Sequence, residues 1–158
     1  MPSGYNNNMQ LFQTPDHVVV LNEMVHDSRI IPLDGRPHLT GIRQWAGDAR
    51  GHWDGDTLVV ESRNYTGKTS SFDPGATAGF GNGETLHLTE RFTRVDEDTL
   101  LYEYTVDDPS TFTSPFTVAL PMRKLEMPVF EYACHEGNYG LLNILRGARA
   151  DEAAQEQP

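Results

Sequence analysis

The sequence predicts an all-β fold: an antiparallel β-barrel with a C-terminal helix. Three observations predict it. Val, Thr, Tyr and Phe recur in short alternating runs, and Gly, Pro and Asp cluster between those runs, which is the pattern of strands joined by turns. The runs follow one another as hairpins, and an antiparallel meander removes its edges by closing on itself. A single stretch near the C-terminus shows helical periodicity instead.

The elements follow in order. Strands are predicted over residues 9–14, 17–24, 28–33, 50–53, 57–64, 84–94, 99–107, 116–124 and 129–134. In EMVHDSRII a turn falls at residues 25–27 and puts His26 at a rim. HWDGDTLVV carries Asp54-Gly55 between two strands, the pair favoured in type I′ turns because both residues need positive φ. RFTRVDEDTLLYEY turns at residues 95–98. The segment 66–83, TGKTSSFDPGATAGFGNG, has no periodicity and reads as a lid or as disorder. Its GFGNG precedes a strand, so it is no phosphate cradle, which must follow a strand and open a helix. In NYGLLNILRGARADEAA, Leu141, Leu142, Ile144, Leu145 and Ala148 form a helical stripe behind Asn138 as N-cap, with Gly137 supplying the bend.

A chain of 158 residues predicts one domain, 1–158, with the barrel over about 9–135 and the helix over about 138–150. A net charge of −11 argues against nucleic acid and anionic membrane surfaces as partners. No stretch approaches the roughly 20 apolar residues of a membrane span. The opening MPSGYNNNMQ has no basic segment followed by an apolar run. The expected location is therefore cytoplasmic for the chain as it stands, and periplasmic or secreted if a precursor carries an export signal. Cys134 is the only cysteine, so no intrachain disulfide or cysteine zinc site is expected, and on a strand it reads as packing.

Alternation sorts the candidate functional residues by face. Over 84–94 one face reads Leu86, Leu88, Glu90, Phe92 and the other Thr85, His87, Thr89, Arg91. The apolar face points inward and carries Glu90, opposite Tyr102 and Tyr104 of the next strand. Glu90 is then either a structural carboxylate bonded to a tyrosine or an arginine, or an acid/base group whose pKa burial raises. His26-Asp27 reads either as an oriented acid/base histidine or as a turn whose carboxylate accepts backbone N–H groups. Trp45, His52 and Trp53 read as core or as the wall of a ligand pocket. Arg43 either binds a carboxylate or neutralises Asp48 at the surface.

EYACHEGNYG concentrates more chemistry than any other stretch. His135 and Glu136 leave the last strand at a barrel mouth, where Asn138 and the helix N-terminus add donors. They read as a site for an anion or an enolate, or as local capping. His52 and Asp54 share a strand face and, with His87 or His135, resemble the two-histidine, one-carboxylate pattern of iron oxygenases. Asp54 is better explained by its turn, so no metal and no cofactor are expected.

Four segments, YNNNMQLFQTPDHVVVLNEMVHDSRIIPLDGRPH, GDARGHWDGDTLVVESRNY, LHLTERFTRVDEDTLLYEYTVDDP and FEYACHEGNYG, together resemble an uncharacterised protein family of soil bacteria over nearly the whole chain. That resemblance implies no catalytic residues. The GHWDGDTLVV hairpin and the meander are similar in style to lipocalin-like, calycin-type barrels, which implies fold only.

An eight-stranded barrel holds about one small ligand. The expected function is metal-independent acid/base chemistry (isomerase, cyclase, lyase or hydrolase type) on a partly apolar organic molecule. Glu90 and His135 exchange protons, Tyr104 and His26 polarise an oxygen, and Trp45, Trp53, His52, Tyr102, Glu136 and Asn138 hold the substrate. The alternative is a non-catalytic lipocalin-like module binding a small molecule in the same pocket. A homodimer through the apolar helix stripe is the expected protein partner.

Overall fold

The computed structural model describes residues 6–68, 84–133 and 135–155. The predicted lid or disorder of 66–83 falls mostly outside that range, and so does Cys134 with its packing role. Strands β1 (Met9–Gln13), β2 (His17–Asn22) and β3 (Ser28–Pro32) form a three-stranded sheet in the order β1-β2-β3. Strands β4 (Asp48–Asp54), β5 (Thr57–Arg63), β6 (His87–Arg94), β7 (Thr99–Asp107) and β8 (Phe116–Arg123) form a five-stranded sheet in sequence order. Helix α1 (Gly140–Gln155) follows. The protein is mostly β: two antiparallel sheets and one C-terminal helix.

These ladders do not close into a barrel. Among the described residues no ladder joins β3 to β4, or β1 to β8. Between β3 and β4 the chain inserts a loop that lies over β4 and is fixed to it by side chains. Leu39 N donates to Asp48 Oδ2 at 2.7 Å, and Arg50 Nη2 donates to the Pro37 carbonyl at 2.9 Å. The sheets meet there through packing. A Cβ on Gly51 of β4 would stand 2.8 Å from both Ile31 Cγ2 and Leu33 Cδ2, so only glycine allows this approach.

The core lies between the sheets. Val18, Val20 and Ile31 from the small sheet pack on Ala49, Leu58, Val60, Phe92 and Tyr102 from the large one. Each large aliphatic side chain buried there contributes about 1.5–3 kcal/mol. A second cluster, Tyr65, Leu86, Leu88 and Val106, fills the other end. The predicted register on β6 holds: Leu86, Leu88, Glu90 and Phe92 are buried, while His87 is exposed and Arg91 half-buried.

Three local expectations are corrected. The β4–β5 turn is one residue later than predicted, because Asp54 pairs with Thr57 and leaves Gly55-Asp56 as the turn. Gly55 has φ 58° and Asp56 no positive φ, which matches a II′ turn and not I′. The strand expected over 129–134 is not formed: residues 128–133 are irregular and pair with neither open edge, β1 or β8. The helix starts two residues later than predicted and runs on to Gln155, across Gly147. Asn138 Oδ1 accepts from Gly140 N at 3.1 Å, and Gly137 (φ 73°) makes the expected bend.

Candidate functional site

Glu90 is 0% exposed at the centre of β6. On β3 the outward residues are Ser28 and Ile30, so Arg29 faces inward beside Ile31. Arg29 Nη1 donates to Glu90 Oε2 at 2.6 Å and Nη2 to Oε1 at 2.9 Å, a bidentate pair that bridges the two sheets. Tyr102 OH donates to Oε1 at 2.7 Å. Tyr104, directly opposite Glu90 in the register, does not make that bond; its half-exposed phenol is raised in pKa by burial.

The electrostatics correct the expectation of a raised Glu90 pKa. Burial pushes the carboxyl up, but the Arg29 charge and its hydrogen bonds push it further down, and it ends below the ordinary 4.5. Tyr102 is held protonated by burial and by the Glu90 carboxylate that its hydroxyl bonds. Burial, then the same carboxylate, pushes Tyr65 up to about 12. Ser62 Oγ is fully buried with no ordinary hydrogen bond, though it lies near enough to Tyr65 to offset that rise in part. The cluster is a locked polar core in which Glu90 stays ionised. It is not set up to donate a proton at neutral pH.

The other expected residues do not converge on it. His135 and Glu136 lie exposed on the turn before α1, and no hydrogen bond among the described residues links either to Glu90. Their barrel-mouth placement is corrected, because no strand precedes them. His26 is exposed at the rim, as expected, within a 3-10 turn at Met24–His26 where Val25 and His26 both have positive φ. Trp45 is 67% exposed and Trp53 half-exposed, so the pocket-wall expectation for them is corrected. His52 is exposed on the outer face of β4. Asp54 accepts from Arg91 Nη2 at 3.0 Å. Among the described residues no three His, Cys, Asp or Glu side chains are placed to share a metal ion.

A cleft of about 630 Å³ lies where a barrel would have closed. Met9, Gln10 and Leu11 of β1 form one side, and Leu100 of β7 with Met122 and Arg123 of β8 form the other. Met9, Leu100 and Met122 also pack on the main core, so the floor is apolar and anchored. The irregular segment with Leu125, Met127 and Phe130 covers one flank. Glu23 ties that segment down: it accepts from Phe130 N at 3.2 Å and from Asn6 Nδ2 at 2.9 Å. Arg94, Arg123 and Lys124 share the rim with Glu97 and Asp98.

Comparison with protein-family models, curated proteins and solved structures finds no match. The geometry alone therefore bears on function. Sequence reasoning missed two groups. Arg29 was legible, because two positions before the inward Ile31 is an inward position. The cleft residues were not, because methionine and leucine at sheet edges read as core. Arg43 is also reassigned. It meets a carboxylate, that of Glu84 at 3.8 Å, and donates to the Tyr65 and Glu84 carbonyls at 3.1 and 3.2 Å, but it does not pair with Asp48, which takes Arg50 Nη1 at 2.5 Å and lies 3.2 Å from His38 Nδ1. That second ionic cluster anchors the 33–47 loop and lines neither the cleft nor the second depression on the outer sheet face.

Proposed function

We propose that the protein binds a small, partly apolar organic molecule in the cleft between β1 and β8. One observation carries this: a cleft of about 630 Å³, apolar at the floor and charged at the rim, within the size range of small-molecule sites. On this reading the two sheets are a lipocalin-like barrel whose ladders stay unjoined at both sheet junctions; packing closes the one between β3 and β4, and the one between β1 and β8 receives the ligand. Its apolar body lies on Met9, Leu100 and Met122, and a polar end meets Arg123 and Lys124. Kinship with the soil-bacterial family rests on the shared segments and adds no residue role.

Acid/base turnover is the weaker proposal, since Glu90 is held by Arg29 and Tyr102 and His135 stands apart. A probe separates site from no site: 1-anilinonaphthalene-8-sulfonate, an apolar ring system with one anionic group. Met122→Trp fills the floor and should weaken probe binding by the folded protein about tenfold or more, a loss of about 1.4 kcal/mol. Unchanged binding in that variant rules the cleft out. A turnover screen of lactones, epoxides and enones across pH, on the same samples, reports whether binding is accompanied by chemistry.

A further inference from the structure

We infer that two copies of this chain pair through helix α1 and Tyr139 just before it. The inference goes beyond the ligand cleft and does not depend on it. No residue of α1 is buried, and none belongs to either core cluster. A helix of this length with Gly147 inside it is marginal in water unless an apolar face is covered. Leu141 is 71% exposed and Ile144 69%, and Tyr139, Leu142 and Leu145 are exposed as well.

At roughly 100 Å² of exposed apolar area each, these five side chains offer roughly 500 Å² per chain, so two copies reach the roughly 1,000 Å² that a biological interface clears. Charge selects a second copy as the occupant. The chain carries −11, yet α1 holds Arg146 and Arg149 against Asp151 and Glu152 and is neutral. A neutral apolar patch is where two acidic molecules can approach with least repulsion, and a two-fold contact needs a patch that complements itself.

Sedimentation equilibrium on the full chain tests this. The expected mass is twice 17.7 kDa. Association should tighten as salt rises, because screening weakens the repulsion between the acidic bodies. Leu141→Asp with Ile144→Asp should give a monomer whose near-ultraviolet circular dichroism and melting transition match the parent, since neither side chain enters the β core. Leu141→Met with Ile144→Leu should stay dimeric. A parent chain that is monomeric at about 100 μM, roughly 5.5 kcal/mol of association at most, overturns the inference, including the case where α1 folds back on its own sheets. So does a dimer that survives the double aspartate change.

Discussion

At the scale of single residues, Glu90 is decided by its neighbour on another sheet. A lone interior carboxylate takes up a proton; one that meets a guanidinium at 2.6 and 2.9 Å does not. The consequence is measurable. Glu90→Gln leaves the Arg29 charge buried without a counter-charge and should cost about 3–5 kcal/mol, read by denaturant unfolding. Replacing the pair together, Arg29→Met with Glu90→Leu, should recover most of that loss, because neither charge then needs hydration. A Glu90→Gln protein of parental stability would show the pair to be dispensable and reopen an active role for the carboxyl. Glu90 was legible as interior from alternation alone. Its partner was legible only as an inward arginine, because nothing in a one-dimensional pattern says which interior groups meet.

At the scale of elements, the hairpins follow local rules and the junction between sheets does not. The turns at 25–27 and 95–98 sit where their residues predict, since turn chemistry is local. Gly51 has a different role, set by Ile31 and Leu33 from the other sheet. Gly51→Ala should push these side chains apart and cost about 1–3 kcal/mol, the usual penalty of overpacking, measured as a lower melting temperature. A neutral effect would mean that the sheets are free to shift against each other. The region 128–133 makes the same point in reverse. Its residues have strand-forming character, yet they join neither free edge; Phe130 N is taken by Glu23 and the segment flanks the cleft instead.

At the scale of the whole molecule, the buried cluster sets the pH range of stability. The Glu90 pKa is lower in the folded chain than in the unfolded one, so the unfolded chain binds more protons in acid. Its contribution is complete above the ordinary 4.5 and is lost as pH falls through the depressed folded value. Tyr65 limits the other side. Its folded pKa of about 12 lies above the ordinary 10.0, so its contribution is present below 10 and is lost as pH rises toward 12. Stability measured by denaturant unfolding should therefore be flat between about pH 5 and 9 and fall beyond both ends. In Glu90→Leu/Arg29→Met the fall below pH 4.5 should be shallower; an identical acid limb would assign it to other carboxylates, such as Asp48, whose pKa is also lowered.

What the sequence by itself determined is the β class, the order of the strands, the inward face of β6 and the single terminal helix. All of these rest on periodicity and on turn residues within a few positions of each other. Only the tertiary structure decided that the meander splits into two sheets, that Arg29 reaches Glu90, that His135 stands apart from them, and that the open seam between β1 and β8 forms the cleft. Those outcomes depend on which distant segments come together across the core. Strand alternation constrains the face a side chain takes and leaves its partner free.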